Sequence, residues 1–145
     1  MSRRRSITNA LVEKFKTIDG NFPYDTNLYS NVEGKLKFWD EVLEFPAVFV
    51  TPGQEYREYH PGDFTWSFLN LSVKAYCKSD TAQDDLEKLL EDLEICVDSN
   101  RVLVYDAERG YETTEILITS ITTDEGLLAP YAVGEINLQV RYAIM

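Results

Sequence analysis

Asp25, Glu33 and Lys35 are the residues whose types and spacing come closest to a catalytic pattern in this sequence. Their order loosely matches that of metal-dependent nucleases, in which two carboxylates hold Mg²⁺ and a lysine orients the attacking water. A glutamate followed two residues later by a lysine is frequent by chance when 27% of the residues are charged. We keep a metal-dependent nuclease as an alternative function and expect these side chains to be solvated charges on a strand.

The remaining sequence offers little for catalysis. His60 is the only histidine, so sites that need two histidines cannot form, and no GxSxG sequence accompanies it. Pro61 and Gly62 follow it, which predicts a solvated turn histidine. The seven glycines are scattered and form neither GxGxxG nor a phosphate-binding loop. The sequence therefore predicts a protein that is not an enzyme and has no cofactor or metal.

Composition describes a folded acidic domain. With 145 residues, 44% of them hydrophobic, the chain fits one domain, residues 1–145, whose core needs no crosslinks. Cys77 and Cys96 are far apart and outside any CxxC motif, so we expect small core or boundary residues in a reducing compartment. No apolar run approaches twenty residues, and the arginines at 3–5 lead into an amphipathic pattern rather than a signal peptide. We expect a soluble protein that is cytoplasmic when made.

The net charge of −11 bears on nucleic acids. Binding to a duplex requires clustered lysine and arginine, so an acidic chain argues against tight binding of DNA or RNA. The same charge suits a protein that DNA passes without sticking.

Two segments have the apolar periodicity of α-helices. The first begins at Ser6 and ends at the Asp-Gly-Asn stop of residues 19–21. Its expected buried stripe consists of Ile7, Leu11, Phe15 and Ile18. The second begins where Asp80 and Gln83 have the spacing of a capping box and ends at residues 98–100. Its apolar face consists of Leu86, Leu89, Leu90, Leu93 and Val97.

The other face of the second helix is acidic and consists of Asp84, Asp85, Glu87, Glu91, Asp92 and Glu94. Such a face is usually solvated. Alternatively, it is a wall of negative charge that lines a pore or meets a basic partner.

Period-two patterns and turn residues predict strands at 32–38, 45–50, 55–60, 64–76, 101–105, 112–122 and 135–144. Residues 51–53 form a turn between the second and third strands, and residues 61–63 join the third and fourth into a projecting hairpin. The apolar phase changes at Phe68 and Leu69, which indicates a bulge or a strand covered on both faces.

This order of elements predicts an α+β fold, in which two helices cover one face of a mostly antiparallel sheet. The open edges and the uncovered face of such a sheet are liabilities unless another subunit covers them, so we expect an oligomer. Five aromatic residues near the hairpin, namely Tyr56, Tyr59, Phe64, Trp66 and Phe68, could stack on bases or sugars. Without interleaved lysine and arginine we favour core packing for some and a protein interface for the others.

As a whole, the sequence resembles the tail terminator, or tail-completion, family of long-tailed bacteriophages, whose members are also described as minor tail proteins. The resemblance covers nearly the whole chain and rests on the order of its elements and on the residue types within each segment. It begins with an N-terminal helix running into IDG at 18–20. It continues through FPAVFV, EYREYHPGDFTW, LSVKAY, DDLEKLLEDLE and ITTDEGLLAPYAVGEINLQVRY to a closing strand.

The resemblance implies a virion structural protein of the tail and neck, assembled in the host cytoplasm. It implies a hexameric ring that caps the tail tube, ends tube growth and joins the tail to the head and neck. The partners would be the tail tube protein and a head-neck connector or stopper, and DNA would slide through an acidic lumen without specific binding. Another neck component, such as a head-tail joining or stopper protein, is the nearest alternative.

The resemblance also suggests where the contacts of this chain lie. The hairpin would reach a neighbouring subunit through Tyr56, Arg57, Glu58, Tyr59, Phe64 and Trp66. A loop with Asp124, Glu125 and Gly126 would face a ring above or below. Arg3, Arg4 and Arg5 either contact an acidic neighbour or belong to a disordered N-terminus.

Overall fold

A layer of two helices covers one face of a five-stranded sheet in the computed structural model, which describes residues 2–144. The elements in chain order are α1 (Arg3–Phe15), β1 (Val32–Glu33), a 3-10 turn (Trp39–Glu41), β2 (Ala47–His60), β3 (Phe64–Lys78), α2 (Ala82–Asp98), β4 (Val104–Asp106), β5 (Tyr111–Glu112), β6 (Glu115–Thr123) and β7 (Tyr131–Ile144). The predicted α+β class, with a mostly antiparallel sheet, is confirmed.

Helix α1 begins three residues earlier than the sequence predicts. Ser2 is its N-cap, because the side-chain hydroxyl of Ser2 accepts the backbone N–H of Arg5. The expected stripe is buried, although Ile18 lies just beyond the helix. The arginines at 3–5 are therefore part of an ordered first turn, in which Arg4 donates to the carbonyl of Gly53 and Arg5 to that of Gly34.

Helix α2 buries its predicted apolar face, but the predicted capping box is wrong. The N-cap residue is Thr81, and no side chain caps the first turn. Gln83 instead donates to the carboxylate of Asp124 across the fold. The helix packs closely on β7 because Gly134 leaves room for it: a Cβ there would lie 3.1 Å from Leu90.

One member of the predicted acidic face of α2 is not solvated. Asp92 is buried, and its two carboxylate oxygens accept the backbone N–H groups of Asp25 and Thr26. The helix thereby fixes the loop that follows α1, since a buried carboxylate needs hydrogen-bond donors. The assignment of Asp92 to a solvated face was wrong.

Strand β2 is longer than the sequence predicts. Residues 51–53 do not form a turn, because the strand continues through them and its register against β3 shifts only between Pro52 and Glu55. The irregularity is thus in β2, and β3 pairs with β7 without interruption from Thr65 to Lys78. The bulge considered at Phe68 and Leu69 does not exist, and the phase change there reflects side chains packed on both faces of β3.

Three other predicted strands are shorter in the structure or are split in two. The strand predicted at 32–38 is only β1, and that at 101–105 is replaced by β4. The run at 112–122 divides into β5 and β6 because the hydroxyl of Thr113 turns inward, accepts the N–H of Leu103 and donates to the carbonyl of Arg101.

The strand order is β1-β2-β3-β7-β6, with β1 parallel to β2 and the other neighbours antiparallel. This topology gives the sheet two distinct ends. The hairpin end holds the turn at 61–63, the start of β6 and the end of β7. The loop end holds residues 39–46 and 124–130. Strand β7 pairs with β3 as far as Thr65. The predicted hairpin therefore does not project as a whole, and only its turn extends past the sheet.

Candidate interaction surfaces

The three candidate residues of the nuclease alternative do not form a metal-binding cluster within residues 2–144. Glu33 and Lys35 pair with each other at 3.0 Å with both side chains largely exposed, while Asp25 lies in the loop held by Asp92. Among residues 2–144 no three His, Cys, Asp or Glu side chains are arranged to hold a metal ion.

The other reactive side chains are either exposed or inert. His60 lies at the end of β2, exposed, with its Nε2 2.6 Å from the Oε1 of Glu58. Cys77 and Cys96 are free and buried. Burial raises the pKa of the Cys77 thiol to about 12 and also raises that of Cys96, so neither supplies a thiolate at neutral pH.

The sheet face opposite the helices, here called the open face, carries paired charges. Lys74 lies 3.2 Å from a carboxylate oxygen of Glu135, which also accepts the hydroxyl of Ser72. The hydrogen bond from Ser72 lowers the pKa of Glu135, burial raises it, and the contact with Lys74 lowers it again. The net effect holds this pKa below its usual value. Arg141 likewise lies near Glu115, at 3.8 Å. The central cations of the open face are thus compensated and do not form a phosphate-binding row.

Aromatic side chains cover the open face near the hairpin end. Tyr56 stacks on Phe68 with ring centroids 4.8 Å apart, and its hydroxyl accepts the side-chain amide of Gln139. Trp66 meets Phe64 edge to face and lies under the guanidinium of Arg141 at 4.7 Å.

The predicted hairpin contacts divide between two faces. Tyr56, Glu58, Phe64 and Trp66 share the open face, because Tyr56 is paired with Phe68, Glu58 with Trp66, and Phe64 with His60. Arg57 and Tyr59 point to the other side, and Tyr59 is 74% exposed. The structure therefore brings four of the six residues together.

The predicted contact loop at 124–126 has an internal scaffold. The carboxylate of Asp124 accepts the N–H groups of Leu128 and Val133 and the side-chain amide of Gln83, each at 3.1 Å. Burial raises the pKa of Asp124, but these hydrogen bonds outweigh it and hold the pKa below its usual value. Glu125 is exposed, and Gly126 has a φ of +85°, which favours glycine. This loop lies at the loop end, opposite the hairpin turn.

Two long strand edges, on opposite sides of the five-stranded sheet, lie largely or wholly without a strand partner among residues 2–144. The outer edge of β6 is one, and no charged residue occurs in it from Ile116 to Thr123. Leu117 and Ile121 in this strand are each 40% exposed. The second edge is that of β2 beyond its short pairing with β1.

The family model for bacteriophage tail tube terminator proteins matches residues 1–145. This chain belongs to the bacteriophage tail tube terminator family. The tail tube terminator protein p142 of Escherichia phage T5 is 41% identical over 152 residues, which cover 98% of this chain and 94% of that protein. The resemblance that the sequence suggests is therefore confirmed.

A solved structure of the virion of a native gene transfer agent particle contains a chain with the same fold. The TM-score is 0.64, and the match covers 99% of this chain and 100% of the other. At 6% identity this likeness shows a shared fold alone.

Membership of the terminator family identifies a structural component of the virion that associates with the tail tube, not an enzyme. The nuclease alternative loses its support, since neither the family nor the placement of Asp25, Glu33 and Lys35 favours it. No helix within residues 2–144 is long and apolar enough to cross a membrane.

Sequence reasoning missed two residues of the terminator that stand out in the structure. Leu43 is 91% exposed and Leu127 is 85% exposed, and both lie at the loop end. The available signal was an apolar residue outside every predicted helix and strand, beside acids such as Glu44 and Glu125.

Proposed function

We propose that this terminator assembles as a hexameric ring on the last ring of the tail tube, where it ends tube growth and joins the tail to the head and neck. The observation that carries the proposal is the pair of free strand edges on opposite sides of one sheet. A heterologous contact between two different edges of identical subunits generates a closed ring when the rotation fits. The number six comes from the resemblance to tail terminators.

Strand direction supports a specific junction between neighbouring copies. Strands β2 and β7 run in one direction, while β3 and β6 run in the other. If β2 of a second copy lies beside β6 of the first, the antiparallel alternation continues across the junction. An uncharged, exposed edge such as β6 is a ready template for this pairing, whereas isolated monomeric proteins usually protect such edges.

The layers of the subunit suggest which surface lines the channel. When a sheet curves into a ring, the bulkier helix layer fits best on the outside, so the open face lines the lumen. Its compensated charges, such as those of Lys74 with Glu135, let DNA pass without specific binding. In this arrangement the acidic face of α2 lies outside and is available to a basic partner, in place of the acidic lumen expected from the sequence.

The two ends of the sheet then become the two faces of the ring. One face meets the tail tube protein and the other meets the head-neck connector or stopper. The hairpin turn at 61–63 and the 124–126 loop suit this division, because they lie at opposite ends of the sheet. Assembly takes place in the host cytoplasm, and the finished ring belongs to the tail and neck of the virion.

A lysine in the free edge of β6 tests the junction. We expect Ile121→Lys to abolish rings on tail tubes that lack their terminator, because a charge at this position blocks strand pairing. The matched control is Ser99→Lys, which adds the same charge at the exposed end of α2. Electron microscopy of tube ends gives the readout, and circular dichroism confirms that both variants fold. Rings formed equally well by Ile121→Lys would refute the junction.

A further inference from the structure

The loop end presents two aliphatic side chains to water in a way that ordinary folding does not explain. Leu43 and Leu127 are almost fully exposed, although the buried residues Val42 and Ala132 lie close by in sequence. Large apolar side chains that water surrounds on nearly all sides gain most from a partner surface, and binding energy concentrates in such anchors.

Leu127 is held in place by its own loop. Its backbone N–H donates to the carbonyl of Asp124 at 3.1 Å, while the carboxylate of Asp124 fixes Leu128 and Val133. The loop is therefore preorganised, and a preorganised anchor loses little conformational entropy on binding.

An aromatic cluster joins the segments that carry the two leucines. The ring of Tyr131, just after the 124–130 loop, lies 4.8 Å from Trp39 and 5.8 Å from Phe45 between centroids. Leu43 lies between Trp39 and Phe45 in sequence, so both leucines are attached to one packed unit at the same end of the sheet.

The residues beside the two leucines in sequence include several acids. Glu41 and Glu44 flank Leu43, and Glu125 precedes Leu127, all three with exposed side chains. No lysine or arginine occurs in residues 38–46 or 119–131, and the ammonium of Lys78 lies over the ring of Tyr131 at 5.0 Å. A complementary partner has apolar pockets bordered by basic side chains.

We propose that the loop end is the surface that docks on the tail tube, with Leu43 and Leu127 inserted into apolar pockets of the last tube ring that have basic rims. The proposal deepens the proposed ring and rests on it, and it assigns the hairpin end to the neck. Membership of the terminator family makes the tube a partner of this protein, and a lasting contact has an apolar centre. The hairpin end instead exposes Tyr59 beside charged residues such as Glu58 and Asp63.

The test compares serine variants on tail tubes assembled without their terminator. Leu43→Ser/Leu127→Ser should reduce the fraction of capped tube ends at least tenfold at a protein concentration that caps most ends with the unchanged protein. Val104→Ser, which alters an exposed aliphatic residue of β4, and Tyr59→Ser at the hairpin end should cap normally. Glu44→Lys/Glu125→Lys should also reduce capping, because it opposes the basic rim. Thermal unfolding checks that each variant folds, as expected for exposed positions.

The outcomes separate the two proposals. If the unchanged protein fails to cap tubes, the proposed function fails. If it caps them and the double serine variant caps equally well, only the tube-docking role of the loop end fails. Loss of capping in Tyr59→Ser but not in the double serine variant would reverse the orientation and overturn the proposal.

Discussion

Asp124 shows how one carboxylate turns a predicted contact loop into a rigid platform. The sequence predicts that Asp124, Glu125 and Gly126 lie in a loop that faces a neighbouring ring, and that role stays a prediction. The structure adds that Asp124 is bound within the chain by three donors, whereas Glu125 faces water. Asp124 therefore fixes the shape of the loop, whereas Glu125 is the residue that is exposed for contact.

The hydrogen bonds of Asp124 predict a pH-dependent contribution to stability. Because its pKa is lowered in the folded state, this contribution is fully present above the unfolded value of about 3.9 and is lost as the pH falls through the folded value. Asp124→Asn should cost about 1–2 kcal/mol at pH 7, since the amide presents N–H groups to other donors. Urea unfolding from pH 7 to 2.5 should show the gap to the unchanged protein closing below about pH 4. The exposed control Glu125→Gln should show almost no gap at pH 7, and a constant gap for Asp124→Asn would contradict this account.

At the scale of elements, α2 does more than cover the sheet. Its Asp92 holds the loop after α1, its Gln83 reaches Asp124, and its leucines approach the sheet at Gly134. The helix also concentrates negative charge. Burial raises the pKa of Glu94, and repulsion from Glu91, Asp98 and Glu87 raises it further. Helix α2 therefore connects the core to the loops on which the interaction surfaces depend.

Removing the buried carboxylate of α2 should loosen the loop that follows α1. Asp92→Ala leaves the N–H groups of Asp25 and Thr26 without their acceptor, which should lower the free energy of unfolding by about 1–3 kcal/mol. Asp84→Ala, an exposed acid in the first turn of the same helix, is the control and should change it by less than about 0.5 kcal/mol. Hydrogen exchange should show faster exchange at residues 25 and 26 in Asp92→Ala. Equal stabilities of the two variants would contradict the role assigned to Asp92.

Elements with a sustained period could be predicted from the sequence, and those decided by single contacts could not. The faces of α2 and β7 repeat over many residues, so their core sides were predicted correctly. Asp92 occupies the same acidic pattern as its exposed neighbours, and only the three-dimensional position of the 25–26 loop shows that it is buried. The break at Thr113 likewise depends on one hydroxyl that pairs with a distant segment.

At the scale of the whole molecule, one sheet supplies a covered face, an open face, two edges and two ends. Family membership establishes a tail tube terminator, and the subunit has a separate surface for each contact of the proposed ring. Sequence reasoning identified the family and the open edges in general terms. It could not find Leu43 and Leu127, because exposure at the end of a sheet has no periodic signature.

The central claim is that free edges of neighbouring copies join into a ring at the end of the tail tube. Cryo-electron microscopy of tail tubes capped by this protein tests it most directly. The account predicts a ring of six subunits in which β6 of each copy pairs antiparallel with β2 of the next. A capped tube whose terminator subunits leave β6 in solvent, or contact each other only through the helices, would contradict it.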